Sequence, residues 1–345
     1  MRFLSIWWRF FTALQLLPVI ENGEETTLVG GQAVLEGVMM RSPHAWGIAV
    51  RKASGEVVTH SETLERPSEK HKWMAWPVMR GFMTLGNAMV LGYRALKFSA
   101  NTALEEAQRE DSVGGNSSGD SSGESSSGGK KLEFSGWLAA LNVVLSVGFF
   151  IVAYKLVPLL AAARIAKLYP MFNGRIGFNL VDGIIRIAIF LLFIWGVSLF
   201  KDIRRVYQYH GAEHKTVFAF EAGKPMEVVE AQKFVTFHPR CGTSFLMTVM
   251  LISMVVYMFV PATTILGKFA ARIVLLPLIV GVSYEIIRFA AKNRGSLFAM
   301  LTAPGLWLQR ITTQPPSDDQ VECAISALNQ AMTLEAQHGG ELVIA

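Results

Sequence analysis

The chain has 345 residues, of which 51% are hydrophobic and 17% charged, and its mean hydropathy is +0.35. The apolar residues are concentrated in long runs, which is typical of a protein that crosses a membrane several times. The net charge is +5, and the Lys and Arg flank the apolar runs instead of forming a basic stripe. This favours anionic lipid headgroups as the counter-charge and argues against nucleic acid as a partner. The two cysteines, Cys241 and Cys323, lie far apart, so no disulfide framework is indicated.

Residues 1–27 form an aromatic-rich N-terminal extension. Its apolar part, 1–20, is short for a span, contains Arg9 and is not followed by a small-x-small cleavage site. We therefore predict an interfacial extension in which Trp7 and Trp8 sit at headgroup depth, with a signal peptide as the alternative.

Residues 28–66 predict a small β subdomain. Short strands are expected within Val29–Arg41, Gly47–Lys52 and Glu56–Ser61, with a hairpin turn between the last two. Glu36 is either an outward-facing strand carboxylate or a contributor to a substrate or metal site. Glycines that permit tight turns or a close backbone approach are Gly30, Gly31 and Gly37.

Two segments separate this subdomain from the apolar runs. Residues 73–100 predict an amphipathic helix, because Arg80, Asn87 and Arg94 recur every seven residues in an otherwise apolar stretch. A full span with two central Arg would be costly, so we expect this helix in the membrane interface or packed against the spans. Residues 111–131 are a Ser/Gly tract with scattered acids and predict a flexible linker.

A transmembrane domain is predicted over residues 134–295. The segments long and apolar enough to cross a bilayer of ~30 Å run over about 134–154, 180–200, 244–262 and 273–290. Lys and Arg near the span ends are more numerous on the side of the polar loop 201–243. The positive-inside rule therefore favours a cytoplasmic position for this loop and for both termini.

Charged residues also occur within these predicted spans. Asp182 and Arg186 are four residues apart, so we expect them to pair on one helix face. Glu285 lies near the cytoplasmic end of the last span, where an unpaired carboxylate is expensive and suggests function. The alternative for Glu285 is an ion pair with Arg288, three residues further on.

The loop 201–243 carries the main candidate site. His210 and His214 are four residues apart, so on a helix both imidazoles fall on one face, within reach of a single metal ion. With Glu213 they form an H-x-x-E-H string, the inverted zincin pattern in which the two His bind zinc and the Glu is the general base. The alternative is a solvated polar helix face without a metal.

Two ligand sets remain open for the histidine pair. In the open set, Glu285 is the third ligand, a water fills the fourth position and Glu213 deprotonates it. In the closed set, His238 and Cys241 complete a tetrahedral structural site. The open set leaves His238, Arg240 and Cys241 to bind substrate or to stabilise an oxyanion. A third option is a Cys241 nucleophile with His238 as its base.

Residues 296–345 predict an interfacial segment, interrupted at Pro304-Gly305, and then an amphipathic cytoplasmic helix over 317–336. The apolar face of this helix contains Val321, Ile325 and Leu328. Glu322 and Cys323 are on or near this helix and are expected at the surface by default.

Five strings occur in one order along the chain: GGQAVLEGVMMR, HGAEHKT, FHPRCGTSF, SYEIIRFAAK and APGLWLQRITTQPP. Together they resemble the bacterial YqhQ-like family of membrane proteins over about residues 28–330. The resemblance implies an integral protein of the bacterial cytoplasmic membrane and a metal-dependent enzyme whose reaction is not established. The functional positions that it implies are His210, Glu213, His214, His238 and Cys241.

The sequence thus predicts a mainly α, polytopic membrane protein with about four transmembrane helices, interfacial helices and a small N-terminal β subdomain. We expect a hydrolase that uses zinc or another divalent metal to cleave a membrane-proximal peptide bond or lipid ester at the cytoplasmic face. The alternative is a non-enzymatic scaffold or assembly factor with a closed structural metal site. Transport is less supported, because the spans hold few polar residues.

Overall fold

A computed structural model describes residues 29–65, 74, 76–114, 136–292 and 297–337. Within these residues the chain is mainly helical, with one small antiparallel sheet. The predicted N-terminal extension and most of the predicted Ser/Gly linker lie outside the described residues.

The sheet has four antiparallel strands in the order of the chain. They are β1 (Gly30–Val34), β2 (Gly37–Arg41), β3 (Ala45–Arg51) and β4 (Val57–Thr63). Val34 pairs with Gly37, so Leu35 and Glu36 form a two-residue turn and Glu36 adopts a φ of 52°. Glu36 therefore lies in a turn, and not in a strand as predicted. The predicted hairpin between β3 and β4 is confirmed, with Gly55 at a φ of 88°.

The helices of the described residues follow the sheet in sequence. They are α1 (Met79–Gly114), α2 (Gly136–Ile151), α3 (Val157–Leu168), α4 (Arg175–Ser198), α5 (Lys201–Glu221), α6 (Val228–Gln232), α7 (Gly242–Met258), α8 (Ile265–Val274), α9 (Leu276–Lys292), α10 (Leu297–Thr312) and α11 (Asp318–Gln337). A π-helical turn over Val152–Leu156 joins α2 to α3, and Pro170–Phe172 form a 3₁₀ turn before α4. Helix α1 extends to Gly114, beyond the predicted end at residue 100.

Both faces of the sheet are covered by helices. Because successive side chains of a strand point to opposite faces, Val38 and Met40 pack with α5 and α11, whereas Met39 packs with Leu91 and Ala95 of α1. The predicted β subdomain is therefore the middle layer of a three-layer unit built from distant parts of the chain.

Helix α11 confirms the predicted C-terminal amphipathic helix, with Val321, Ile325 and Leu328 buried. The prediction for Glu322 is confirmed too, since it is exposed and pairs with Arg51. The prediction for Cys323 was wrong. Its side chain is fully buried and its Sγ donates a hydrogen bond to the Ala49 carbonyl at 3.1 Å. The reason is that α11 buries a wider face than its most apolar stripe, because it lies flat on the sheet.

Two helical segments are long and apolar enough to cross a membrane: Val144–Leu168, with 25 residues, and Arg175–Ser198, with 24 residues. Helices α8 and α9, bent by 50°, make a third candidate if they form one span. The first predicted span, 134–154, ends too early, because the helix continues through the π turn to Leu168. Helix α7 is a shorter apolar helix. Large exposed apolar side chains on these helices include Leu145, Phe149, Leu192, Phe193, Leu246 and Val255.

Helices α4 and α7 run in opposite directions. Asn179, near the start of α4, donates a hydrogen bond of 3.0 Å to the carbonyl of Tyr257, near the end of α7. The predicted pair of Asp182 and Arg186 is confirmed, and Arg272 of α8 joins it at 3.0 Å from the Asp182 carboxylate. The ends of α4 and α7 that meet at Asn179 are thus remote from α5 and the sheet.

Helix α10 differs from the predicted interfacial segment with a break at Pro304-Gly305. It is continuous through Pro304 and packs against α7, where a Cβ on Gly305 would lie 2.6 Å from the Cα of Ser244. Gly305 therefore permits the close packing of α10 on α7 and does not interrupt the helix.

Candidate metal centre

Helix α5 carries the H-x-x-E-H string between the sheet and the apolar helices. It begins directly after α4, and its residues from Gly211 to Ala219 are all buried. A Cβ on Gly211 would collide with the carbonyl of Gln314, in the segment that joins α10 to α11. Glycine at this position therefore lets that segment pass directly over the helix beside the two histidines.

Three side chains converge at this point. His210, His214 and Cys241 each offer one ligand atom, and these atoms all lie within 4.8 Å of one another. His210 Nε2 is 3.1 Å from Cys241 Sγ, and the centroids of the two imidazole rings are 4.4 Å apart. The predicted helical spacing of the pair is thus confirmed, and Cys241 is the residue that the fold adds to it.

Backbone carbonyls orient both imidazoles. The Nδ1 of His210 lies 2.8 Å from the Thr312 carbonyl, and the Nδ1 of His214 bonds the Thr236 carbonyl. A carbonyl only accepts hydrogen bonds, so each Nδ1 carries the proton and each Nε2 presents a lone pair. This is the arrangement of a metal-ligating histidine and its outer partner.

The environment of His214 favours the neutral, ligating form. Burial lowers the pKa of His214 to about 4. Its Nε2 is buried and has no hydrogen-bond partner. An orphaned buried lone pair costs free energy unless something binds it, and a metal ion at the centre of the three ligand atoms would do so.

Cys241 enters the site from the first residue before α7. It occupies the N-cap position, and its Sγ lies 3.2 Å from Thr243 Oγ1. In the first turn of α7, Ser244 receives a hydrogen bond of 2.6 Å from the Gln309 side chain.

Glu213 lies beside the three ligand atoms. Its Oε2 is 3.5 Å from His214 Nε2 and 3.9 Å from His210 Nε2. Burial raises the pKa of Glu213. This effect outweighs the neighbouring histidines and the Gly31 backbone, which act to lower the pKa. Strand β1 covers this carboxylate, since a Cβ on Gly31 would lie 2.7 Å from Glu213 Cγ.

His238 lies next to the cluster but is directed elsewhere. Its ring centroid is 5.6 Å from that of His214, while its Nε2 lies 3.7 Å from the Glu221 carboxylate. The guanidinium of Arg240 forms an ion pair with the same carboxylate. Gln309 fixes the backbone of His238 by two hydrogen bonds of 2.7 Å, one to its N–H and one to its carbonyl.

The two predicted distant carboxylates are held by arginines. Glu285 accepts a hydrogen bond of 2.6 Å from Arg80 Nε, so its partner is Arg80 and not Arg288, and it is not among the grouped ligands. Glu36 pairs with Arg205 and accepts a hydrogen bond of 3.3 Å from Tyr209, one residue before the first histidine. The structure brings neither carboxylate together with the three ligand atoms.

The observed cluster is therefore neither of the two predicted ligand sets. It joins the histidine pair to Cys241, from the closed set, without Glu285 or His238. Sequence reasoning also missed Glu221 and Gln309. Glu221 lies seven residues after His214, on the same face of α5, so helical periodicity would have indicated it. Gln309 comes from a distant helix, and no local pattern indicates it.

The fold and this cluster define a mainly helical protein with two or three candidate spans and a group of three residues, two of them buried, that could hold a metal ion. The chain belongs to the family described as "Protein of unknown function (DUF1385)", whose sequence model matches residues 76–334. It is similar to "Uncharacterized protein YqhQ" of Bacillus subtilis (strain 168), with 30% identity over 308 residues, which cover 89% of this chain and 93% of the relative. The resemblance to the YqhQ-like family is thereby confirmed. No solved structure matches the chain.

Proposed function

We propose that this chain is a metal-dependent hydrolase, embedded in the bacterial cytoplasmic membrane, that cleaves a membrane-proximal substrate at the cytoplasmic face. The observation that carries the proposal is the geometry of the histidine pair. Both Nδ1 atoms are anchored on carbonyls, and both Nε2 atoms lie with Cys241 Sγ around one point, beside the buried carboxylate of Glu213.

The donor set suits zinc. Zinc binds imidazole nitrogen and thiolate sulfur well, whereas calcium and magnesium prefer oxygen ligands. His210, His214 and Cys241 would hold the metal, which would supply an activated water molecule for attack on a carbonyl.

Glu213 is the proposed general base. Its carboxylate lies near the Nε2 atoms of both histidines, and strand β1 packs closely on its side chain at Gly31. A carboxyl whose pKa is raised by burial is a better proton acceptor at neutral pH than an ordinary glutamate. Glu213 would take the proton of the attacking water and pass it to the leaving group.

The substrate class follows from the position of the site in the membrane. We propose four spans: the helix that ends at Leu168, then α4, α7, and the bent pair α8–α9. Helix α7 is included because it lies antiparallel to the candidate span α4. The end of α7 meets the start of α4, where Asn179 bonds the Tyr257 carbonyl. Cys241 at the start of α7 would then lie at a membrane surface, within reach of a lipid ester or a juxtamembrane peptide bond.

The alternative is a membrane scaffold or assembly factor with a structural metal. The observation that favours it is the position of His238, whose ring lies 5.6 Å from that of His214. A side-chain rotation of His238 would supply a fourth ligand and close the site.

The proposal is tested by hydrolysis of p-nitrophenyl acetate and p-nitrophenyl palmitate by the zinc-loaded protein in detergent. We expect wild-type protein to hydrolyse at least one ester, and Glu213→Gln to retain zinc while losing about 10²–10⁴-fold in rate. The matched control is Glu227→Gln, an exposed carboxylate beyond the end of α5, which should hydrolyse like wild type.

Two results would contradict parts of this proposal. Equal rates for wild type and Glu213→Gln would remove Glu213 as the base. Cobalt substitution tests the open position directly, because azide changes the visible spectrum of cobalt only if it can bind the metal. A spectrum that azide leaves unchanged would favour the closed site and the scaffold.

A further inference from the structure

A second polar site lies at the opposite end of the apolar helices from the metal centre. It is a cavity of about 240 Å³ between the start of α4, the end of α7 and helix α8. Its polar lining consists mainly of Asn173, Arg175, Asn179, Tyr257, Lys268 and Arg272. Cys241 caps one end of α7 and Tyr257 lies at the other, so the two sites are separated by roughly 25 Å of helix.

The floor of the cavity is a buried arginine. Arg272 is only 2% exposed, and its guanidinium contacts the Asp182 carboxylate at 3.0 Å and Asn179 Oδ1 at 3.1 Å. Its Nε is buried without a hydrogen-bond partner. A buried charged donor with an unused N–H is costly, and an acceptor inside the cavity would satisfy it.

The charges around the cavity do not balance. Asp182 is shared between two buried arginines, Arg186 and Arg272, so this carboxylate is already more than neutralised. Among the described residues, no carboxylate lies within ion-pair distance of Arg175 or Lys268. The ammonium of Lys268 instead lies over the ring of Phe178 at 3.4 Å. The wall therefore carries a net positive charge, which attracts an anion.

We propose that this cavity binds a phosphate group, either the headgroup phosphate of a phospholipid or a soluble phosphate ester. The cavity is smaller than the ~300–1,000 Å³ of typical sites for drug-sized ligands, so it fits a headgroup-sized anion. Arginine guanidinium groups bind phosphate oxygens by charge-assisted, often bidentate hydrogen bonds. The mouth is formed by the exposed Asn173, Arg175 and Thr263, so the group enters from the membrane surface.

The test is lipid retention measured by native mass spectrometry of the detergent-purified protein. Phosphatidylglycerol is the anionic probe, and diacylglycerol, which lacks the phosphate, is its neutral control. We compare wild type with the double variant Arg175→Gln/Lys268→Gln, which leaves the buried Arg272 in place. The matched control is Lys167→Gln, an exposed cation at the same end of the helices that does not line the cavity.

We expect wild type and Lys167→Gln to retain phosphatidylglycerol over diacylglycerol, and the double variant to bind it about tenfold more weakly. If lipid is not retained but inorganic phosphate raises the melting temperature of wild type and Lys167→Gln only, the source is a soluble phosphate. Binding of neither probe, or equal loss of binding in Lys167→Gln, would overturn the proposal.

Zinc content is measured on the same samples and should be the same in all three proteins. The outcome of the phosphate test is therefore separate from that of the hydrolase test.

Discussion

At the scale of single residues, the contact between Gly31 and Glu213 links the sheet to the metal centre. A Cβ on Gly31 would lie 2.6 Å from Met40 Sδ, 2.7 Å from Glu213 Cγ and 2.7 Å from the Met39 carbonyl, and the carbonyl cannot move without distorting the strand. We therefore expect Gly31→Ala to destabilise the protein by about 1–3 kcal/mol, the usual cost of overpacking. The measurement is the thermal unfolding midpoint of the purified protein.

The neighbouring Gly30→Ala is the control, because a Cβ there meets nothing within 4 Å. It should unfold at the wild-type temperature, and both proteins should be measured in the same detergent. An equal midpoint for Gly31→Ala would mean that β1 does not press on Glu213 as the structure shows.

The residues of the metal centre divide into those that sequence could predict and those that it could not. His210, Glu213 and His214 are local, because one helical turn brings them together whatever the rest of the fold does. The positions of Cys241 and Glu285 relative to the histidine pair depend on long-range packing. The fold brings Cys241 to the histidine pair, whereas the Glu285 carboxylate is bound by Arg80 of α1. No periodicity in the sequence predicts either contact.

At the scale of elements, Glu335 fastens α11 to the sheet. Its carboxylate accepts hydrogen bonds of 2.7 Å from the Ser42 hydroxyl and the His44 backbone N–H. Burial acts to raise the pKa of Glu335, but these bonds outweigh it and the pKa is lowered. Because the folded pKa is depressed, the ionised carboxylate stabilises the fold above the usual Glu pKa of 4.5, and this contribution is lost as the pH falls through the folded pKa.

We therefore expect Glu335→Gln to lower the unfolding free energy by about 1–3 kcal/mol at neutral pH and to differ less from wild type below about pH 4. Thermal unfolding at both pH values measures the difference. Glu322→Gln is the control on the same helix. Its exposed ion pair with Arg51 should contribute at most about 1 kcal/mol. A Glu335→Gln deficit that persists unchanged in acid would contradict the assignment.

Helices and strands were predicted best where their periodicity was regular. The apolar stripe of α11 and the hairpin between β3 and β4 are local features, so the sequence predicted both. The failures arose where a neighbouring element overrode the local signal. Pro304 and Gly305 look like a break, yet α10 continues because its glycine packs on Ser244 of α7. Cys323 is buried although it lies outside the stripe of Val321, Ile325 and Leu328, because α11 packs a wider face against the sheet.

At the scale of the whole molecule, the proposed four spans place the metal centre and the phosphate cavity on opposite sides of the membrane. Lys224 follows α5 on the side of the metal centre, and Lys167 lies at the cavity end of α3; both are exposed. We expect a membrane-impermeant maleimide added to intact bacteria to label Lys167→Cys and not Lys224→Cys. The two native cysteines are buried and should give little background.

Permeabilised cells provide the control, because both variants should then react. Labelling of both variants in intact cells would contradict the placement of the metal centre and the phosphate cavity on opposite sides of the membrane. The reverse pattern would place the metal centre outside the cell and remove the cytoplasmic assignment, which depends on the distribution of Lys and Arg.

The central claim is an open metal site with three protein ligands, and metal content tests it most directly. Zinc is measured in the detergent-purified wild type and in His214→Ala, Cys241→Ala and His238→Ala after equal exposure to zinc. We predict about one zinc per chain in wild type and in His238→Ala, and loss of the metal in the other two variants. Loss in His238→Ala as well would show a closed four-ligand site. Wild-type protein without zinc would contradict the metal centre itself.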